Sequence, residues 1–511
     1  MAGAVGRAAT GLAVAAVAST VLIAASPATA ATTIPVTVGH IPASRPLPRG
    51  FLGLALEYRG IPGVVGSRRA AGVNPALVGL IRALNPEGGT VIRVGGESAD
   101  RSWWPIRGVR APLGNTYTLT PAWVRSMSAL AQAVNARLIL GLGLEADRPR
   151  LVAVESRRLL AGLGKRVMAF TIGNEDLLYS QIPWYRVLNG KRIPWFAKVG
   201  TPVYARPLTY SPAQYEQEWS RTEAVLPPGV PLAGPDLSTI LWLDSFEQRL
   251  MPHSRVRYIT IHEYPLSQCD RAPTSPAYPS VPHLLAPGAA TNPLLGFAPS
   301  IALAHHYGAR FLVDEMGSDS CTGTRGVSNT LASALWLIGA LFQDEVSGVD
   351  GVQLHTYPGL TNDLFDFKDH PRGWRAVVRP LYYGALMFTQ ADPPGSRLLR
   401  ATSGDATALR TWATIAPDHQ LRVLLIDDSL HSAVKAVVRI AGARGPASLE
   451  RLRAPSAYST GGVTLGGQSF GPWTTTGVLP APMPLTVAGH GGAYTVALTP
   501  GSAALLTLPP A

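Results

Sequence analysis

The sequence predicts an α/β chain in which a (β/α)8 TIM barrel is followed by an antiparallel β-sandwich. Three observations lead there. Eight short apolar runs, each ending in polar residues, alternate with helical patterns from Phe51 onward. Helical periodicity stops after about Met387, and short alternating runs broken by Gly, Pro and Asp replace it. Residues 31–50 form an isolated extended, Pro-containing piece with no helix, which needs a strand partner elsewhere.

The eight runs are 51–58, 90–97, 137–145, 167–175, 230–237, 256–264, 310–316 and 350–357. Their near-continuous apolar character suits parallel strands covered on both faces. Helical patterns between them include Pro121 to Val134 after an N-cap Thr120, Ala213 to Val225, and Val327 to Phe342. The count decides between architectures, since a doubly wound sheet would more usually carry five or six strands. Long segments at 180–209 and 266–297, rich in Pro and aromatics, follow the fourth and sixth strands on the face where such barrels build their sites. Tyr179, Trp184, Tyr185 and Trp195 are candidate sugar-stacking surfaces there. The resulting division is 1–30 export signal, 31–50 a strand of the sandwich, 51–387 barrel, and 388–511 sandwich.

Composition narrows the class. Of 511 residues 46% are apolar and 15% charged, which supports a large packed core and argues against disorder. Residues 1–30 read as a secretory signal: Arg7, an apolar stretch from Gly11 to Ala25, and Ala28-Thr29-Ala30 at a cleavage site. The mature chain is expected outside the cell, as a monomer, with no membrane anchor after cleavage. The formal charge of +12 comes mostly from scattered Arg rather than runs, so no nucleic-acid partner is expected and an acidic substrate gains only weak support. Cys269 and Cys321 are the two cysteines; in an oxidising compartment they favour one disulfide, tying together loops on the same barrel face. With no His/Asp/Cys cluster at ligand spacing and no Gly-rich phosphate loop, neither a catalytic metal nor another cofactor is expected.

The chemistry is carried by the ends of two runs. Val167–Ile172 breaks at Gly173 and presents Asn174 and Glu175; Arg310–Asp314 ends at Glu315. Two carboxylates at the carboxyl ends of buried barrel strands are what a retaining glycosidase needs, one as proton donor and one as nucleophile. Neighbouring carboxyl groups push each other's pKa values apart, which lets them take those two roles. An Asn beside the acid suits a hydrogen bond to a sugar 2-hydroxyl. His262 and His355 read as packed or supporting histidines, because the two carboxylates complete the mechanism.

The Asn-Glu of the fourth strand with the Glu of the seventh resembles the retaining glycosidases of clan A. More narrowly, five stretches resemble glycoside hydrolase family 79, the β-glucuronidase and heparanase group: Phe51–Tyr58, Arg93-Val94-Gly95-Gly96-Glu97-Ser98-Ala99-Asp100-Arg101-Ser102-Trp103-Trp104, Ile172–Glu175, His262-Glu263-Tyr264-Pro265, and Gly326–Ser328 with Ala332–Trp336. The resemblance implies Glu175 as acid/base and Glu315 as nucleophile. It makes Asn174 a 2-hydroxyl ligand, places Glu57 and Ser98 near the sugar hydroxyls, and sets Arg93 beside the nucleophile. Tyr264 and Tyr357 would face the bound uronate, and the backbone N–H of Gly323 would meet its carboxylate. Glu97 stands where the family pattern has Asn. The expected activity is therefore β-glucuronide hydrolysis. The alternatives are a neutral β-xyloside or β-glucoside, endo cleavage of an acidic glycan, and carbohydrate binding without turnover.

Overall fold

The computed structural model describes residues 31–66, 72–269, 272–370, 373–407 and 409–510. The expected export signal lies outside them. Eight parallel strands close a barrel in sequence order: Leu52–Glu57, Val91–Gly95, Arg137–Leu142, Val167–Ile172, Leu232–Leu237, Val256–Glu263, Arg310–Met316 and Gly351–Thr356. Closure is made where the eighth strand pairs with the first, Val352 opposite Leu52. All six residues of the first, fourth and fifth strands are buried, which is why these strands read as largely apolar runs with a polar residue toward the end.

The surrounding helices start where their sequence allows. Asn74 caps Pro75–Leu84 by accepting from the N–H groups of Ala76 and Leu77, and Thr120 caps Pro121–Ala133 through Trp123 N–H at 3.2 Å. Ser211 and Gln214 close a reciprocal cap on Pro212–Glu223. Proline stands at the first turn of each, where its missing N–H costs nothing.

The helix expected from Val327 begins instead at Leu331 and runs to Ser347. Residues 324–330 are held in turns, Val327 N–H and Ser328 N–H both donating to Thr324 O. The helix start is then capped from outside, Leu331 N–H reaching Ser459 O and Ala332 N–H reaching Ala457 O, each at 2.9 Å. This helix is apolar nearly all round because its neighbours on several sides are other helices and the C-terminal unit. The last helix, Pro380–Ala391, carries the helical region past the expected boundary at Met387.

The C-terminal unit is a mainly antiparallel sheet of ten strands that curls into the expected β-sandwich. Thr32–Pro42 is built into it, antiparallel to Arg397–Ser403 and parallel to Val434–Ile440. Ile34, Val36 and Val38 join Val423, Val438 and Leu506 in a core of its own. The segment after the fourth strand forms a small sheet of Tyr185–Leu188, Lys191–Ile193 and Thr201–Val203. The one after the sixth supplies Leu266–Ser267 and the helices Val281–Leu285 and Gly288–Leu295. Cys269 and Cys321 form a disulfide that joins the segment after the sixth strand to the loop after the seventh, beside the paired strands Leu266–Ser267 and Asp319–Ser320. Among the described residues no helix is long and apolar enough to cross a membrane.

Candidate active site

The centre of the site is Arg93, on the second barrel strand and only 1% exposed. Its guanidinium donates to Glu315 Oε2 at 2.6 Å, to Asn174 Oδ1 at 2.7 Å and to Asp236 Oδ2 at 2.9 Å, and pairs with Asp314 Oδ2 at 3.0 Å. One cation thus gathers side chains from the fourth, fifth and seventh strands. On its other side, Arg93 Nη2 lies 3.3 Å from His262 Nε2, and His262 Nδ1 lies 3.0 Å from Glu175 Oε1. Glu175 and Glu315 are therefore connected through two side chains, Arg93 and His262, across the C-terminal mouth of the barrel.

Glu315 is held from both oxygens, since Tyr264 donates its hydroxyl to Oε1 at 2.6 Å. Burial by itself raises the pKa of such a carboxyl. Here the cations His262, His355 and Arg93, with the Tyr264 hydroxyl, override burial and hold Glu315 well below the usual carboxylate range. Asp314 takes the opposite course. Burial and the adjacent Asp236 push it well above the ordinary value, against the pull of Arg93 and His262. His262 loses basicity by burial but gains more from Glu315 and from its hydrogen bond to Glu175, and ends near 9. At neutral pH it is an imidazolium between the two glutamates.

Glu175 sits at φ +50°, ψ +48°, a left-handed conformation that costs a non-glycine residue on the order of 1 kcal/mol. Its N–H donates to Asp236 O at 2.9 Å, which fixes the turn. The side chain of Glu175 is 21% exposed and that of Glu315 11%, so both open to the barrel mouth, unlike Asp314 at 0%. Asp236, His262 and Asp314 form a cluster with metal-ligand geometry, and the Arg93 guanidinium lies against all three. A cation is already supplied there by the chain itself.

The other expected residues fall into two groups. Glu57 lies at the barrel mouth, its Oε1 3.8 Å from His355 Nε2 and its Oε2 accepting from Ser98 N–H at 2.8 Å. The backbone passes close over this carboxylate at Gly96, where φ is +64° and a Cβ would come within 2.1 Å of Glu57 Oε1. The Tyr357 ring packs on Gly60 and carries the Arg59 guanidinium 5.4 Å above it. Ser98 and Gly323 spend their polar groups elsewhere than on a sugar. Ser98 is fully buried, accepting from Tyr58 N–H at 2.7 Å and donating to Gly95 O at 3.1 Å, so its hydroxyl shapes the turn after the second strand. Gly323 is buried in a turn at φ +78°, its N–H directed at Ser320 O, 3.4 Å away. Tyr179 is likewise a packed residue, its hydroxyl on Asp100 Oδ2 at 2.8 Å and its ring under Arg206.

Asp236 and Asp314 are members of the site that their residue types alone did not announce, while His262, expected as a packed or supporting histidine, bridges Arg93 and Glu175. The available signal was a polar residue at the end of each apolar run, in Pro235-Asp236, Asp314-Glu315 and His262-Glu263.

No protein-family model matches the chain, and no curated protein matches it in sequence. Solved structures do match in fold. A 4-O-α-L-rhamnosyl-β-D-glucuronidase from Fusarium oxysporum superposes with a TM-score of 0.68 at 19% identity, covering 93% of this chain and 100% of that one. An arabinofuranosidase of family GH51 from Xanthomonas axonopodis gives 0.63 at 16%, over 93% and 99% of the two chains. The α-L-arabinofuranosidase of Thermotoga maritima gives 0.61 at 13%, over 93% and 99%. The chain has the barrel-plus-sheet fold that these glycoside hydrolases share.

Proposed function

We propose that the protein is a retaining β-glycoside hydrolase acting on β-glucuronides. The observation that carries this reading is the Glu315–Arg93–His262–Glu175 connection across the barrel mouth, with Glu315 held ionised. A carboxylate held well below the usual range suits the nucleophile, and a glutamate hydrogen-bonded to a histidine suits the acid/base. In the first step a Glu315 oxygen bonds to the anomeric carbon while the glycosidic bond breaks and the leaving oxygen takes the proton from Glu175. In the second step Glu175 takes a proton from water, the water oxygen bonds to the same carbon, and Glu315 leaves as carboxylate. Asn174, its Oδ1 fixed on Arg93, has its amide N–H groups left to donate to a sugar hydroxyl.

The sugar class rests on the resemblance of the second-strand motif, on the fold likeness to a glucuronidase, and on Tyr264 and Arg59-backed Tyr357 at the ends of the sixth and eighth strands. Two observations favour a second reading, a neutral β-glycoside. The Gly323 N–H is turned to Ser320 O, and Glu57 places a carboxylate beside the pocket. The export read from residues 1–30 belongs to the same proposal. N-terminal sequencing of the protein recovered from the culture medium tests it: a start at Ala31 is expected, and a start at Met1 overturns it.

Chromogenic β-glucuronide, β-glucoside and β-xyloside offered side by side to wild type, Glu175→Ala and Glu315→Ala test the reading. Glucuronide turnover lost in both variants, with azide restoring an inverted product in Glu315→Ala, is expected. Turnover of a neutral glycoside alone keeps the mechanism and replaces the substrate.

A further inference from the structure

Two stretches of the chain that reach the mouth face of the barrel contain no acid. Asp and Glu are absent between Arg101 and Glu145, and again between Asp176 and Glu216. The first stretch holds a loop that follows the second barrel strand, closed at its base where Ser102–Trp103 pairs with Tyr117–Thr118. The second holds the small sheet of Tyr185–Leu188, Lys191–Ile193 and Thr201–Val203, which follows the fourth strand.

The loop and the sheet are locked together. Arg192 Nη1 donates to Leu113 O at 2.8 Å, and the Trp184 indole lies so close over Gly114 that a Cβ there would come within 1.8 Å of Nε1. Within the sheet, Arg186 braces the connection by donating to Trp195 O at 3.0 Å and to Gly200 O at 3.1 Å. The tight turn Asn189-Gly190 is left-handed at both residues, as a two-residue hairpin requires. The two segments therefore form one braced platform.

That platform shows solvent an apolar and basic surface. Val109, Leu113, Leu188, Phe196 and Val199 are all exposed, from 40% at Leu188 to 61% at Phe196. Arg107, Arg110, Lys191 and Lys198 are exposed in the same two segments, and among the described residues none of the four has an ion-pair partner. Arg206, by contrast, is paired with Glu218 at 2.8 Å and points inward.

A scattered exposed apolar residue is ordinary, but five on two interlocked segments mark a contact surface. The mixture selects the partner. An acidic polysaccharide would satisfy the cations and leave the Leu and Val side chains in water. The boundary of an anionic bilayer takes both, since its headgroups neutralise Lys and Arg while apolar side chains enter beneath them. We propose that the 104–116 loop and the 184–203 sheet dock the protein on an anionic lipid surface, with the barrel mouth on the membrane side. The contact is peripheral, and it does not depend on the glycosidase reading.

Co-sedimentation with vesicles tests it, using the mature protein beginning at Ala31 so that the apolar stretch Gly11 to Ala25 takes no part. One set of vesicles is phosphatidylcholine alone, and the other is an equal mixture of phosphatidylcholine and phosphatidylglycerol. The wild type is expected to bind the mixed vesicles at least roughly 20-fold better, and added salt should weaken that binding. Lys191→Ala with Lys198→Ala lowers it by roughly 20-fold, about fivefold for each cation. Phe196→Ser with Val199→Ser lowers it by roughly tenfold. An unchanged Tm in both double variants, expected because all four side chains are exposed, shows that neither loss comes from unfolding. Wild type that binds neither vesicle, or both equally, overturns the proposal. So does binding that survives either double variant. Retention on a soluble polyuronate without vesicle binding assigns the cations to an acidic polysaccharide and overturns it as well. The comparison of the two vesicles needs no variant and decides the matter if a variant does not fold.

Discussion

Arg93 on the second strand donates to Glu315 on the seventh at 2.6 Å, and the same guanidinium touches Asp236, Asp314 and Asn174. This fully buried cation neutralises the interior of the barrel mouth. Replacing it by Gln leaves several carboxyl groups facing one another without compensation, a loss on the order of 3–5 kcal/mol for a broken buried pair. Arg93→Gln is expected to lower Tm. In whatever protein folds, the acidic limb of kcat/KM moves to higher pH, because Glu315 no longer has its nearest cation. An acidic limb that stays in place would show that Arg93 does not set the ionisation of Glu315.

His262 separates proton supply from packing. Its proton, held up to about 9, lies 3.0 Å from Glu175. His262→Gln is expected to cut kcat by roughly 10- to 100-fold for poor leaving groups and less for activated phenols, and to bring the basic limb to lower pH. A uniform loss across leaving groups with an unmoved limb would mean that His262 only fills space.

Glu263 faces the opposite way, against Asp344 on the buried helix Leu331–Ser347. Burial raises Glu263 to about 8. The native state then keeps a proton that the unfolded chain releases above about 4.5. Stability is therefore lost progressively as pH rises from about 4.5, and the loss is complete near 8, on the order of a few kcal/mol. Glu263→Gln should flatten the fall of Tm between about pH 5 and 8. Parallel Tm curves for variant and wild type would show that this pair does not titrate across that range.

The Cys269–Cys321 disulfide spans 52 residues of sequence and ties the two rim loops next to Tyr264. Closing a loop of that length is worth about 4 kcal/mol in the chain-entropy model. The double serine variant is expected to unfold at lower denaturant concentration and to show a raised KM, since the Leu266–Ser267 and Asp319–Ser320 pair loses its clamp. An unchanged KM would place the disulfide outside the site's control.

The barrel is legible in the sequence because its strands are buried on both faces and end in polar residues at one rim. Strand alternation explains what is not. It sends Asp314 and Glu315 to opposite sides, yet both meet Arg93. The pairing register slips between Ile261 and His262 and between Val313 and Met316, and that irregularity turns neighbouring residues toward one centre. No local pattern announces such a slip. The local bonds of Ser98 and Gly323 are hidden for a similar reason, because a motif gives position along the chain but not which atom a turn consumes. The start of the helix at Leu331 depends on Ala457 and Ser459, which lie far along the chain in the C-terminal unit.

The central claim is a double displacement with Glu315 as nucleophile, and the stereochemistry of the first product tests it most directly. Proton NMR of a β-glucuronide digest, recorded before mutarotation, is predicted to show the β-anomer of the free sugar appearing first. The α-anomer appearing first would contradict the account, since it requires water, not Glu315, to attack the anomeric carbon.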